Sequence, residues 1–382
     1  MRTRRHLLAR VSGLFALLVL AGLPTTRAQS AGLDGFIRAR MAEAHVPGLA
    51  ACIVKDDAVV WAQGFGLRDI ALALPVTPQT PFMLASVSKT VTGTALMQLW
   101  DADRYELDDD VEPHLAFPLD HPLYPADPIT FRQVLTHTAS IGDNWDVMMS
   151  VYVRGDSPIP LGLFLEHYLV PGGRFYDPTK NFVSKPPGTK YSYSNIGFAL
   201  AGHLVESIEG VPFDLYCRAA IFQPLGMQST SFRFTDFAPA TVAMPYRWAP
   251  ALQGFVPYGY YGYPDYPDGC LRSSALDLAR FLLAHMNRGS WNGVQILSPA
   301  AVDEMHTVQF PLVAPTQGLA FYHWSLGGMQ LVGHAGGDLG VSTEMWMRPA
   351  QRTGVIVLTN GEASFPPIAQ LLQRLFREAE AL

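Results

Sequence analysis

Ser86 and Lys89 stand three residues apart at the start of a run that reads as a helix. Residues at this spacing share one helix face. The serine hydroxyl would then lie at the positive end of the helix, where an alkoxide or oxyanion is stabilised. The lysine can accept the serine proton if burial keeps its amine neutral. The pair therefore predicts nucleophilic catalysis, although a serine and a lysine at this spacing also occur by chance.

A tyrosine and an asparagine, Tyr193 and Asn195, come just before a second apolar helical run that begins at Ile196. A tyrosine on a loop before a helix can enter a cleft, and an asparagine two residues later can face the same way. A phenol, with its ordinary pKa near 10, becomes a base only where cations surround it. Taken alone, Tyr193 reads better as a packing residue, since the chain has 15 tyrosines.

A third motif consists of His334, Ala335 and two glycines, Gly336 and Gly337, and we expect it where one strand ends and the next begins. Glycines there let backbone N–H groups approach a ligand closely. An N–H group aimed at a reacting carbonyl oxygen would help to form an oxyanion hole. The alternative is a glycine-rich hairpin turn with a surface histidine.

A loop over residues 255–269 holds five tyrosines among prolines and aspartates. Such loops commonly form the walls of binding clefts. This loop, with Trp324 and the residues near His137, is as consistent with an aromatic wall for a substrate group as with ordinary loop packing. His137 itself reads as a structural residue.

The order Ser-x-x-Lys, Tyr-x-Asn, and a basic residue followed by glycine resembles the serine β-lactamase and penicillin-binding-protein superfamily. The Tyr-x-Asn form is similar to the class C β-lactamase branch and its esterase and D-amino-acid peptidase relatives. Four further stretches also resemble that family: residues 46–49, 65–69, 134–138 and 271–281. The resemblance covers essentially the whole chain after the first 28 residues.

The resemblance implies that Ser86 is the acylated nucleophile and that Lys89 and Tyr193 share the proton between attack and leaving-group departure. Asn195 would orient Lys89 or a substrate amide. The backbone N–H groups of Ser86 and Gly337 would form the oxyanion hole. The residues expected to bind substrate are Asn195, His334, Gly336, Tyr261 and Asp268. No cofactor and no metal are implied, and the sequence contains no His-Glu-x-x-His motif.

The third motif departs from the family pattern at one point. Members that recognise penicillins usually carry Lys-Thr-Gly where this chain has His334, Ala335 and Gly336. A histidine is mostly neutral at neutral pH unless an acid lies beside it. We therefore expect an esterase or a peptidase/amidase that acts on small ester, amide or peptide substrates.

Three alternatives to this expectation remain. A β-lactamase or DD-peptidase is disfavoured because the Lys-Thr-Gly sequence is missing. A non-catalytic binding or sensor protein is disfavoured because the serine, the lysine and the tyrosine are all present. An α/β-hydrolase is disfavoured because there is no Gly-x-Ser-x-Gly motif.

Short β-rich segments occur near both ends of the chain, and helical patterns fill the middle. The sequence predicts an α/β (α+β) fold with an antiparallel sheet built from both chain ends and flanked by helices. The sheet part would comprise residues of about 31–85 and 300–382, and the mainly helical part about 86–299.

The N-terminus has the pattern of a secretory signal peptide over residues 1–28, with arginines before an apolar stretch at residues 11–23 and small residues near Ala28. Arg4 and Arg5 also resemble a twin-arginine signal. The hydrolase domain would then be residues 29–382, periplasmic or secreted, with no integral membrane anchor after cleavage. With only five lysines, no later basic run and a net charge of −6, a nucleic-acid partner is not expected. The three cysteines, Cys52, Cys217 and Cys270, are expected to be small buried residues rather than a disulfide framework.

Overall fold

The structure is a computed structural model that describes residues 24–382, with side chains from residue 32 onward. The chain divides into two units, residues 1–39 and residues 40–382, and the described part of the first unit belongs to one helix. Of the predicted signal peptide, residues 1–23 lie outside the described residues. No helix from residue 24 onward is long and apolar enough to cross a bilayer.

The described chain forms ten α-helices, and most of them lie in its middle part. They are α1 (Pro24–Glu43), α2 (Ser88–Asp101), α3 (Phe131–Leu135), α4 (Trp145–Ser150), α5 (Leu161–Leu169), α6 (Asn195–Glu209), α7 (Phe213–Cys217), α8 (Ala275–Met286), α9 (Pro299–His306) and α10 (Phe365–Ala381). A 3₁₀ turn, Ala85–Val87, leads into α2, and a π-helical turn, Arg218–Phe222, continues α7.

A seven-stranded antiparallel sheet is built from both ends of the second unit, as predicted. Its strands are β1 (Gly48–Lys55), β2 (Ala58–Asp69), β3 (Leu74–Pro75), β4 (Tyr322–Leu326), β5 (Met329–Asp338), β6 (Val341–Arg348) and β7 (Thr353–Thr359). Their order across the sheet is β4-β5-β6-β7-β1-β2-β3. The two chain ends meet where β1 pairs with β7, with Leu49 opposite Thr359.

Helices α8 and α10 pack on β1 and β7. Helix α10 begins with two prolines, which suit the first helical turn because its N–H groups have no partner within the helix. Its apolar residues recur at helical spacing and are buried: Ile368, Leu371, Leu372, Leu375 and Phe376.

Helices α2 to α9 lie in the long segment between β3 and β4, and α2 packs against α6 at its centre. Four two-stranded ladders support its loops: Phe82–Met83 with Arg272–Ser273, Val153–Arg154 with Tyr261–Gly262, Tyr246–Ala249 with Gly254–Pro257, and Ser290–Trp291 with Val294–Gln295. All three cysteines are free and buried, as the sequence predicted.

One prediction about local structure is wrong. The motif His334 to Gly337 lies inside strand β5 and not between two strands. The turn that follows begins after Asp338, and Gly340 adopts the left-handed conformation there, with φ 70°. The two glycines of the motif are therefore strand residues and not turn residues.

Candidate active site

Ser86 lies on the 3₁₀ turn that leads into α2, and it is the one residue between positions 80 and 97 that is not buried. Ala85 before it has φ 47°, a left-handed conformation that costs a non-glycine residue about 1–3 kcal/mol. The turn thus presents a single hydroxyl from an otherwise buried segment. Strained backbone of this kind is common where a residue must be presented to a ligand.

Lys89 is fully buried and donates three hydrogen bonds from its Nζ atom. The acceptors are Ser86 Oγ at 3.0 Å, Asn195 Oδ1 at 2.7 Å and the backbone oxygen of Asp268 at 2.8 Å. Burial by itself lowers the pKa of Lys89, but the charges of Tyr193, Asp268 and Asp143 outweigh burial, so the pKa lies above its usual value. Three acceptors around one nitrogen fit an ammonium group, since a neutral amine has only two protons to donate.

Asn195, the first residue of α6, is fixed in its orientation by Asp143. Its Nδ2 atom donates to Asp143 Oδ2 at 2.8 Å, which turns Oδ1 toward Lys89. Asp143 also accepts from the backbone N–H groups of Asn195 at 2.9 Å and Ile196 at 3.2 Å. The aspartate thus satisfies N–H groups at the start of α6 that have no partner within the helix. Sequence reasoning missed Asp143, because no local motif marks it.

Tyr193 precedes the N-cap of α6, Ser194, whose Oγ accepts from the Gly197 N–H at 2.9 Å. The Tyr193 ring stacks on His137 with centroids 4.2 Å apart, and Lys89 Nζ lies 5.0 Å from its centroid. His137 Nδ1 accepts from the Ser194 N–H at 3.0 Å. Burial, followed by the charge of Lys89, holds the pKa of His137 well below its usual value, so His137 is a neutral support for Tyr193.

Strand β5 crosses directly over the Ser86 turn, and Gly336 is the point of contact. A Cβ atom at Gly336 would lie 2.3 Å from the oxygen of Leu84 and 3.0 Å from the Ser86 nitrogen. Thr343 on β6 holds the same turn, since its Oγ1 donates to the Leu84 oxygen at 2.6 Å. A Cβ at Gly337, by contrast, would meet no atom within 4 Å. Gly336 is therefore needed for close packing, and Gly337 faces open space beside Ser86.

His334 is buried on β5 and faces a cavity. Its Nδ1–H donates to the Ala335 oxygen at 2.5 Å, because a carbonyl can only accept. Burial, with a smaller effect from Lys89, lowers the pKa of His334 to about 3. The ring is therefore neutral at neutral pH and supplies no positive charge to a ligand.

Two cavities open from Ser86. The first has a volume of about 640 Å³, and we call it the neutral cavity because none of its described lining residues is a lysine, an arginine or an acid. Its lining includes Ser86, Tyr191, Tyr193, Gln317, Tyr322 and His334. The second, of about 380 Å³, we call the acidic cavity; its lining includes Ser86, Trp145, Met148, Tyr152, Tyr193, Tyr263, Asp265, Asp268, Asp338 and Glu362. Ser86 and Tyr193 line both cavities, so a substrate that reacts with Ser86 Oγ would place one of its groups in each cavity.

The other predicted substrate-binding residues are distributed unevenly. Asn195 and Asp268 line the acidic cavity, and His334 and Gly336 line the neutral cavity. Tyr261 lines neither cavity, and its hydroxyl donates instead to the Leu339 oxygen at 2.8 Å.

The tyrosine-rich loop contributes one tyrosine to the cavity walls. Tyr263 lines the acidic cavity, while Tyr258 and Tyr260 donate hydrogen bonds elsewhere. Asp265, a further cavity residue in this loop, was missed in the sequence because one aspartate in a loop carries no distinctive signal.

Comparison with protein-family models matches residues 33–377 to the Beta-lactamase family. "Protein flp" of Staphylococcus aureus (strain COL) is 23% identical over 344 residues, which cover 88% of this chain and 64% of that protein. The chain thus spans less than two thirds of the length of this curated relative.

Two solved structures are similar over most of the chain. The octameric penicillin-binding protein homologue from Pyrococcus abyssi has a TM-score of 0.70 and 27% identity, with 92% of this chain and 77% of that chain covered. The D-amino acid amidase from Ochrobactrum anthropi SV3 has a TM-score of 0.74 and 21% identity, with 92% and 99% covered. These similarities agree with the fold described above.

Proposed function

We propose that this chain, which belongs to the Beta-lactamase family and its class C-like branch, is an exported hydrolase that forms an acyl-enzyme on Ser86. The observation that carries the proposal is the single accessible hydroxyl of a buried segment, held 3.0 Å from the ammonium of Lys89 at the junction of two cavities. A nucleophile in contact with an activating group, which a third group orients, is the general arrangement of covalent hydrolases. Here Asn195 orients Lys89.

In the proposed mechanism the general base is the phenolate form of Tyr193, which the nearby charge of Lys89 stabilises. Lys89 donates its three protons to acceptors, so it stabilises negative charge near Ser86 and leaves the proton of Ser86 to Tyr193. Ser86 Oγ then attacks the substrate carbonyl carbon. The N–H groups of Ser86 and Gly337 stabilise the oxyanion. The proton passes from Tyr193 to the leaving group, and Tyr193 afterwards activates the hydrolytic water.

The substrates are small esters, amides or peptides, and β-lactams are the less favoured class. A penicillin carries a carboxylate that needs a cation beside it, and His334 is neutral. Among the described residues, no lysine or arginine lines either cavity. A fold neighbour that is named a D-amino acid amidase supports amide hydrolysis as one activity compatible with this architecture.

The test is the intact mass of the protein after incubation with p-nitrophenyl butyrate, a D-alanyl-D-alanine peptide, nitrocefin and a fluorophosphonate. We expect a covalent adduct or turnover with the ester or the peptide, and loss of both in Ser86→Ala. Ser325→Ala, which removes an exposed hydroxyl on β4, is the matched control and should behave as the wild type. Hydrolysis by Ser86→Ala at the wild-type rate would contradict the assignment, and a folded wild type without any adduct would favour a binding protein.

A further inference from the structure

The acidic cavity has an unusual wall. Four carboxyl groups line it, those of Asp265, Asp268, Asp338 and Glu362, and no lysine, arginine or histidine does so among the residues that the structure describes. An acidic wall without a cation attracts positive charge. Whether it binds a cation depends on which of these carboxyl groups already have donors.

Two of the four carboxyl groups are already satisfied by the protein. Asp338 accepts from the hydroxyls of Tyr152 and Tyr263, each at 3.2 Å, and from the Leu339 N–H at 2.7 Å. Glu362 accepts from the hydroxyl of Tyr258 at 2.7 Å. The oxygens of these two groups already accept hydrogen bonds from the protein, so neither group needs a donor from a ligand.

Asp265 is different, because it is 1% exposed and no protein donor reaches either of its oxygens. Its neighbour is Asp268, and two carboxyl groups can bond to each other only by sharing a proton. Burial raises the pKa of Asp265 to about 7 and, with the charge of Asp265, raises that of Asp268 well above its usual range. The raised pKa values mean that the pair holds a proton near neutral pH unless a cation beside it stabilises the charged form.

Among the described residues, no cation of the protein is hydrogen-bonded to the carboxyl oxygens of this pair, although the charge of Lys89 lowers the pKa of Asp268. Lys89 is the buried cation nearby, and its three protons are directed to Ser86, Asn195 and the backbone oxygen of Asp268 rather than to a carboxylate of the pair. A metal ion is a poor match, since no group of three possible ligands is suitably placed between residues 32 and 382. The remaining walls include the rings of Trp145 and Tyr152 and the thioether of Met148, which suit an organic cation.

We infer that the acidic cavity binds a protonated amino group of the substrate, with Asp265 and Asp268 as its counter-ions and Trp145, Met148 and Tyr152 around its carbon atoms. This inference rests on the proposed function, because the cavity opens onto Ser86 and the amino group would belong to a molecule cleaved there. The substrate class is thus an aminoacyl amide or ester, or an amide whose amine part carries a second amino group.

Binding to the full-length Ser86→Ala protein tests the inference without hydrolysis. Three pairs of equal shape compare ammonium with methyl: glycine anilide with propionanilide, β-alanine anilide with butyranilide, and N-(2-aminoethyl)acetamide with N-propylacetamide. We expect the ammonium member to bind at least about tenfold more tightly in at least one pair, as charge-assisted hydrogen bonds predict. The third pair shows which side of the scissile bond carries the charge. Equal binding within all three pairs would overturn the inference.

Two charge-neutralising variants separate recognition from an indirect effect on Lys89. Asp265→Asn and Asp268→Asn, each combined with Ser86→Ala, should reduce the ammonium preference to about threefold or less. Asp120→Asn removes an exposed carboxyl outside the cavity lining and should leave the preference unchanged. If a variant bound both members of a pair equally more weakly and kept the ammonium preference, the carboxyl pair would act only through Lys89. That result would refute recognition of the ammonium group by Asp265 and Asp268.

The outcomes also distinguish this inference from the proposed function. Ammonium preference in Ser86→Ala, without any adduct in the wild type, would refute hydrolysis and leave the cation site standing. An acyl-enzyme in the wild type, without ammonium preference, would refute the cation site and leave the hydrolase standing.

Discussion

Lys89 has the contacts of an ammonium group, and in the proposed mechanism this charge decides which group takes the proton of Ser86. A buried lysine loses its proton easily unless anionic or polar groups surround it. Here Tyr193, Asp268 and Asp143 raise the pKa of Lys89 above its usual value despite full burial. The sequence left open whether Lys89 is a neutral base. The contacts favour a charged Lys89 beside Tyr193, and in the proposed mechanism the phenolate of Tyr193 takes the proton.

Asp143 contacts Asn195, a residue of the proposed catalytic site, without lining either cavity. We predict that Asp143→Asn lowers kcat by about ten- to a hundredfold with a smaller change in KM, since a misplacement of about 1 Å can cost that much. The reason is that Asn195 loses the acceptor that turns its oxygen toward Lys89. Steady-state kinetics on the preferred ester, together with thermal unfolding, measure the effect. The lost bonds at the start of α6 should also cost about 1–3 kcal/mol of stability.

The matched control is Asp146→Asn, three residues further along the chain. Asp146 is 82% exposed and forms a surface ion pair with Lys180, with 2.7 Å between Oδ2 and Nζ. Such a pair contributes about 0–1 kcal/mol, so kcat and stability should hardly change. Equal kinetic effects in the two aspartate variants would show that Asp143 does not position the site.

At the scale of single residues, sequence motifs predict the groups proposed to react but not the groups that orient them. Ser86, Lys89 and Asn195 stand in short local patterns, and the structure brings their side chains together. Asp143 lies 52 positions before Asn195, so only the folded chain shows their contact. The opposite error concerns Tyr261, whose place in a tyrosine-rich loop suggested a cavity wall although its side chain is buried.

Among the structural elements, α6 and β5 show when the local sequence is sufficient to predict the structure and when it is not. The helical run predicted to begin at Ile196 is α6, which starts one residue earlier because Ser194 caps it and which ends at Gly210, with φ 71°. The sequence predicts the glycines of β5 at the junction of two strands, since glycine is common in turns. In the structure Gly336 instead allows β5 to lie against the Ser86 turn. Gly336 and Ser86 are 250 positions apart, so the local sequence does not reveal this contact.

The two neighbouring glycines of β5 provide a prediction with an internal control. Gly336→Ala would place a methyl group 2.3 Å from the Leu84 oxygen, so β5 or the Ser86 turn must move. We expect a loss of about 1–3 kcal/mol in the free energy of unfolding, as for other overpacked sites, and loss of Ser86 acylation. Gly337→Ala enters open space and should retain the wild-type stability. Urea unfolding and fluorophosphonate labelling measure both effects, and equal stabilities of the two variants would contradict the packing argument.

On the scale of the whole molecule, the sheet brings sequence-distant parts of the site together. β1 and β7 join the two ends of the second unit, and β5 of the same sheet carries His334 and Gly336 to the turn that begins α2. The alternation of β-rich ends and a helical middle was enough to predict this arrangement. The cavities were not predictable, because their walls come from loops whose paths depend on tertiary contacts.

Export is the prediction that concerns the full chain. Positive residues before the apolar stretch at residues 11–23, and small residues near Ala28, predict cleavage after position 28. When the full chain is expressed in a bacterium with both Sec and twin-arginine export, we expect the periplasmic or secreted product to begin at Gln29. Intact-protein mass and N-terminal sequencing measure this. A variant with Arg4→Lys and Arg5→Lys tests the route, since retention of the precursor identifies twin-arginine export and normal processing identifies Sec. An uncleaved chain that stays in the cytoplasm would contradict export by either route.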